Sequence, residues 1–421
     1  MKYILFSFAL LGIIAISSCN NAGDTPGSTV AGDTSITVPA GFTAVVFADS
    51  LGKARHIAVN GNGDVFVKLE ALKDGHGIVR LKDTNNDGVS DNLTGFASYG
   101  GTGIAIKHEY LYASSDDDVF RYKLASDGTP DTASVMRIVT GLINKREHAS
   151  KSIALDKAGN IYVNIGAPSN ACQVENRQAG SQGMNPCPIL DSAGGIWQFK
   201  VDKQDQHYGD GARFATGIRN IVGLDWNNEV NNLYAMQHGR DQLDALYPDK
   251  YTEAQRVELP AEELFKIKQG GDYGWPYCYY DPMQKAKVQA PEYGGDGKST
   301  TGCEGKEKPI YAFPAHWAPN GLLFYTGDQF PEKYKNGAFI AFHGSWNRAP
   351  QPQGGYSVVF LPFKDGMPSG EYEIFADGFA GANKTPGGAR FRPCGLAQGP
   401  DGSLYITDDQ VGRVWKVSYK K

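Results

Sequence analysis

The chain has 421 residues, a formal net charge of -5, 52 glycines, 22 tyrosines and 20 phenylalanines. A mildly acidic chain without a basic tract excludes nucleic acid as the expected partner. Its length is enough for a large core, and many aromatics among many glycines suit strands joined by tight turns.

Lys2 precedes an apolar run from Tyr3 to Ile16, followed by Ser17, Ser18 and Cys19. The run is too short for a comfortable membrane span, so residues 1–18 read as a targeting segment. Ile-Ser-Ser-Cys resembles the lipobox of bacterial lipoproteins, which implies lipid on Cys19 and membrane contact through that lipid only. An ordinary signal peptide with a chance cysteine is the alternative. Residues 19–35 are small and polar and read as a flexible tether. The expected location is the bacterial cell envelope, on the periplasmic or outer-membrane face.

Residues 36–421 read as one domain. A short apolar run, a turn, and a strand with a central aromatic recur, with the aromatics at Phe66, Tyr112, Tyr162, Tyr234, Phe339 and Tyr405. The intervals of 46, 50, 72, 105 and 66 residues describe a repeat of blade size carrying insertions. Six such units, with no long helical pattern between them, predict an all-β six-bladed propeller. A strand over 36–47 is expected to pair with the last strands, 404–407 and 413–418, and so to close the ring.

In the first blade, DTNNDGVSD places Asp83, Asn85, Asp87 and Asp91 around Gly88. This is either a shortened calcium loop or a polar hairpin; Thr94 stands where an EF-hand has its glutamate. With Cys19 lipidated, five cysteines remain, and export permits disulfides. Cys172 with Cys187, and Cys278 with Cys303, each fall inside one insertion, so local pairs are expected to staple those loops. Cys394, in a strand-like setting, is expected to be a buried thiol.

In an antiparallel blade, the loop entering the inner strand and the loop leaving the second strand share one end. His56, Thr102, His148 with Lys151, Arg219 with Asn220, Asn320, and Arg390 with Arg392 enter inner strands. Glu70, Asp116 to Asp118, Ala167, Gln237 to Gly239, His343 with Trp346 and Arg348, and Asp408 with Asp409 leave second strands. One axial face therefore gathers arginines and histidines, a setting for a polyanionic ligand. His148 is the candidate base, since imidazole titrates near neutrality.

HASKSIALD (148–156), TGIRN (216–220), QHGRDQL (237–243), YGWPYC (273–278), FHGSWNR (342–348), and RFRP followed by GPDGSLYITDD (390–409) occur in this order. Over nearly the whole mature chain this order resembles the soluble pyrroloquinoline quinone (PQQ)-dependent aldose and sorbosone dehydrogenases. The resemblance implies PQQ and calcium on the axial face, a sugar substrate oxidised by hydride transfer, and an external electron acceptor. It implies His148 as the base that removes the anomeric hydroxyl proton, and Arg219 with Asn220 facing the quinone oxygens. Backbone carbonyls of Gly239 and Arg240 would bind the calcium, and Arg390 with Arg392 the cofactor carboxylates. Where the family's glucose enzymes carry a lysine after the fifth repeated strand, this chain has FHGSWNR, which places Trp346 and Arg348 against the cofactor. Trp275, Tyr277, Tyr279 and Tyr280 either stack on a sugar at the rim or pack the stapled loop. Two other classes remain at this stage: a calcium-dependent lactonase, and a lipid-anchored binding propeller without catalysis.

Overall fold

The computed structural model describes residues 32–145, 147–385 and 387–420; Cys19, the apolar segment and most of the tether lie outside them. Six antiparallel sheets, each with a core of four strands, surround one axis. Their inner strands are Ala54–Val59, Ile104–Lys107, Ile153–Leu155, Ile221–Asn227, Pro319–Phe324 and Pro393–Gln398. Each inner strand neighbours the next, and the sixth neighbours the first, so the ring is closed. This is the six-bladed propeller expected from the repeat.

The recurring aromatics are the reason the blades pack. All six lie on second strands, and none of Phe66, Tyr112, Tyr162, Tyr234, Phe339 and Tyr405 is more than 3% exposed. They fill the seams between blades: the Tyr162 ring stacks on Trp226 of the next blade, with centroids 5.3 Å apart. Burying such rings on both blade faces supplies the main apolar driving force for the ring. The hairpins are set by local hydrogen bonding. Asp156 accepts the N–H groups of Ala158 and Asn160, each at 2.8 Å, while Gly159 takes a φ of 75°. That conformation is disfavoured for any residue with a side chain.

Phe42–Ala48 pairs antiparallel with Val414–Tyr419, so blade 6 is built from both ends of the domain. The strand expected over 36–47 starts later. Pro39 and Gly41, with φ of 87°, turn the chain before it, and Thr37 bridges instead to Asp377 of blade 5. Disulfides join Cys172 to Cys187 and Cys278 to Cys303, and Cys394 is a buried free cysteine, as expected.

The 83–91 segment is closed by its own side chains. Asp83 accepts Gly88 N–H at 2.9 Å, Asp87 accepts Val89 N–H at 2.8 Å, and Asp91 accepts Thr84 N–H at 2.7 Å. Asn85 accepts the Asp87 N–H at 2.9 Å. One oxygen of each of these side chains closes an amide of the loop, and among the described residues no group of three or more His, Cys, Asp or Glu side chains is arranged to hold a metal ion. The expected alternatives for Asp83, Asn85, Asp87 and Asp91, a shortened calcium loop or a polar hairpin, share this geometry, and Asp83 Oδ1 is buried without a partner among the described residues.

Phe42 tests the closing strand, since its ring lies 4.8 to 5.5 Å from those of Phe330, Tyr334, Phe375 and Tyr419. Phe42→Ala is expected to cost about 3 kcal/mol, read from the chemical denaturation midpoint. A loss under about 1 kcal/mol would show that this cluster does not hold the ring shut.

Candidate functional site on the axial face

Arg219 enters blade 4 and is 3% exposed. An arginine this deep needs a partner for each donor and for its charge. Its Nε donates to Asn170 O at 3.2 Å, Nη1 to Gly239 O at 2.9 Å, and Nη2 to Asn170 Oδ1 at 3.1 Å and Asp241 Oδ2 at 3.0 Å. Four of the five guanidinium N–H groups are taken, and one on Nη1 has no protein partner among the described residues. Burial raises the Asp241 carboxyl, but Arg219, His316 and Arg177 outweigh it and hold the group down at about 2.

His148 enters blade 3 with φ of 55°. Its Nδ1 lies 2.5 Å from Ala167 O, so Nδ1 carries the hydrogen and Nε2 presents a lone pair. Burial first, then the positive charge of Arg219, lowers its pKa to about 3. His238 is set in the opposite tautomer, its Nε2 donating to Pro319 O at 3.1 Å, and the same two causes lower it to about 3. His316 donates from Nε2 to Arg256 O at 2.6 Å and accepts Asn347 Nδ2 at 3.3 Å. Asn347 also donates to Asp241 Oδ1 at 2.9 Å. Glu262 accepts Gly239 N–H at 2.8 Å and Ala318 N–H at 3.1 Å; burial raises its pKa to about 7.

These residues surround a cavity of 250 Å³ lined by His148, Arg177, Arg219, His238, Gly239, Asp241, Glu262, His316, Ala318, Trp346 and Asn347. Trp346 is 53% exposed at its edge. A larger axial channel of 420 Å³ is lined by inner-strand aliphatics such as Ile57, Ile104, Ile153, Leu322 and Leu396 together with His56, Asp225, Asn228 and Gln398, and no arginine lines it.

Of the residues expected from the sequence, the cavity brings together His148, Arg219, Gly239 and Trp346. Others turn elsewhere. Asn220 is buried beside the site, where Oδ1 accepts Asn164 Nδ2 at 3.3 Å. The Arg240 side chain forms a buried ion pair with Glu292 at 2.6 Å, whereas the expectation concerned its backbone carbonyl. Arg348 donates to Val257 O and Ala315 O, at 2.6 and 2.9 Å, and does not line the cavity. Arg390 is exposed and lies over the Phe391 ring at 4.8 Å. Arg392 donates to the carbonyls of His343 and Gly344. Trp275 and Tyr279, 6% and 5% exposed, pack the stapled loops and do not form a rim. Sequence reasoning passed over Asp241, His316, Asn347, Arg177 and Glu262. Asp241 was the legible one, because an acid two residues after Gly239 is a natural partner for a buried arginine nearby.

Propeller and cavity together define a class: a ring of six blades with a small polar cavity on one axial face, walled by arginine and neutral histidine. The chain belongs to the TrAA12-like family, whose model matches residues 36–420. It is 28% identical over 281 residues to an uncharacterised protein of Borreliella burgdorferi, covering 66% of this chain and 62% of that one. It is 26% identical over 354 residues to a pyrroloquinoline quinone-dependent pyranose dehydrogenase of Coprinopsis cinerea, covering 72% of this chain and 44% of that one. The chain thus spans less than two thirds of either relative. Among solved structures, the carbohydrate-active enzyme family AA12 protein of Trichoderma reesei shares the fold, with a TM-score of 0.73, 20% identity, and coverage of 95% and 100%.

Asp241→Asn leaves the buried Arg219 without its counter-ion and is expected to cost about 3 kcal/mol at pH 7. The folded carboxyl is held below its ordinary 3.8, at about 2, so its contribution is complete above pH 4 and is lost between pH 4 and 2. Denaturation of both proteins across pH should show a gap that narrows only in that window; a gap independent of pH would contradict the ion-pair account.

Proposed function

We propose that the axial cavity holds pyrroloquinoline quinone and that the chain is a quinoprotein dehydrogenase acting on an aldose or related pyranose. The observation that carries the proposal is that the free Nε2 of His148 and the uncommitted Nη1–H of Arg219 belong to one cavity edged by a half-exposed indole. Family membership and the printed activity of the Coprinopsis cinerea relative support it. A lactonase built on an axial metal would need carboxylates free to bind it; the two in this cavity are engaged, Asp241 by Arg219 and Glu262 by the Gly239 and Ala318 amides.

The residues fit a flat, carbonyl-bearing acid. Arg219 offers its remaining Nη1–H to a carbonyl oxygen, and Trp346 a face for a planar ring. When bound, the quinone supplies the hydride acceptor. His148 Nε2 takes the hydroxyl proton of the sugar as the C–H bond breaks, and Ala167 holds the ring in the tautomer that permits this. Asp241 keeps Arg219 charged and in place. Calcium fits less well at the 239–240 turn, because the Gly239 carbonyl already accepts Arg219 Nη1. A cation there would share that oxygen with Arg219 and lie beside the guanidinium's positive charge. The proposal keeps the lipid on Cys19 and the cell-envelope location, which mass spectrometry of the N-terminal peptide from membrane fractions would test.

The experiment is dye reduction by the quinone-loaded chain with a panel of aldoses and pyranoses. His148→Gln is expected to lower turnover by about 100- to 10,000-fold while leaving quinone affinity within about threefold. Near-normal turnover would remove His148 from the reaction. Since a base works in its neutral form, and burial lowers this one to about 3, its acidic limb should lie near pH 3. A fall in kcat/KM between pH 8 and 5 that disappears in the variant would contradict that placement.

A further inference from the structure

We infer that His343, held by Asp409 and Arg55, is a second acid–base group on the axial face, serving the proton released as electrons pass to the external acceptor. The inference rests on the quinoprotein reading above. His343 directly follows the second strand of blade 5, Ala338–Phe342, where the resemblance left a lysine unmatched. Arg348 does not fill that place, since its guanidinium is bound to Val257 and Ala315 carbonyls. The His343 N–H donates to Ala318 O at 2.8 Å, and Ala318 lines the cavity.

The side chain is built into a charged relay. His343 Nε2 lies 2.6 Å from Asp409 Oδ1, and Asp409 Oδ2 takes Arg55 Nη1 at 2.7 Å. The side chains of Asp409 and Arg55 are only 7% and 10% exposed. With Arg55 and His343 against it, Asp409 stays ionised, and an ionised carboxylate can only accept. Nε2 therefore carries the hydrogen, and Nδ1, which has no partner among the described residues, is a lone-pair acceptor. Arg392 holds the backbone here through the carbonyls of His343 and Gly344. Burial, together with Arg392 and Arg55, favours the neutral ring, while Asp409 favours the charged one. On the other side stands His238, which is neutral and bonded to Pro319 O.

The chemistry needs a second proton acceptor. Converting a CH–OH group to C=O releases two electrons and two protons. His148 takes the hydroxyl proton. The other proton leaves the carbon with both electrons as hydride, and is set free only when those electrons pass to an external acceptor such as a redox dye. His343 Nδ1 takes it there, Asp409 offsets the imidazolium charge, and the side chain, 16% exposed, returns the proton to water.

Two measurements test this. In the cofactor-free chain, ¹⁵N spectra of the histidines should show His343 as the Nε2–H tautomer at pH 7, and Asp409→Asn should lower its pKa by removing the charge that favours protonation. In the quinone-loaded chain, stopped-flow work with a pH indicator separates sugar-driven reduction from dye-driven reoxidation. His343→Gln should slow reoxidation and its proton release about 100-fold, the sugar-driven step far less, and imidazole in the buffer should restore part of the rate to His343→Ala. An Nδ1–H tautomer, or reoxidation within about threefold of the unaltered chain, would overturn the inference. If the unaltered chain shows no sugar-driven reduction with the quinone, the proposed function falls and takes the relay's role with it, whatever tautomer the spectra report.

Discussion

A buried guanidinium is the constraint around which this face is built. Arg219 cannot be left deep in the ring without a counter-charge and without partners for its donors. Asp241 supplies the charge, and Asn170 supplies both a carbonyl and an amide oxygen. Asn170 sits at the start of the loop closed by Cys172 and Cys187, and its carbonyl also accepts Trp275 Nε1 at 3.0 Å. Trp275 in turn packs against that disulfide. The two stapled insertions, which look like decoration in the sequence, are thus the supports of one side chain at the axis. Disulfides here restrain the loops that deliver hydrogen bonds to the site, in addition to limiting the unfolded chain.

The electrostatics follow from the same burial. His148 and His238 each give one ring N–H to a backbone carbonyl and face Arg219, and both remain neutral near pH 7. A neutral imidazole with a lone pair is a proton acceptor, whereas an imidazolium beside Arg219 would repel the hydroxyl proton it is meant to take. The fold therefore selects the form of the histidine that the proposed chemistry uses. In blade 5, His343 differs in having Asp409 as its partner, a carboxylate that favours the protonated ring.

Much of the fold was legible because it follows from patterns with a physical cause. The aromatic on each second strand marks a seam between blades, and the Asp/Gly turns mark hairpins. Loop positions followed from the repeat, which is why His148, Arg219, Gly239 and Trp346 were found on one cavity. The direction of a long side chain is a different matter. Arg348, Arg390 and Arg392 stand on loops at or near the axial face, yet their guanidinium groups are drawn to backbone carbonyls or an aromatic ring that no spacing records. Carbonyl acceptors leave no trace in residue type, and so the networks of Asn170 and Ala167 were invisible until the backbone was placed. The early turn at Pro39 and Gly41 was readable from residue type alone, and it moves the closing strand to Phe42.

The central claim is that the 250 Å³ cavity on the axial face is where the quinone binds. A crystal structure of the chain grown with pyrroloquinoline quinone tests it most directly. The account predicts planar density against Trp346, with a ring oxygen in reach of Arg219 Nη1 and open space for a sugar beside His148 Nε2. Density in the larger axial channel instead, or none on the axial face at saturating quinone, would contradict it.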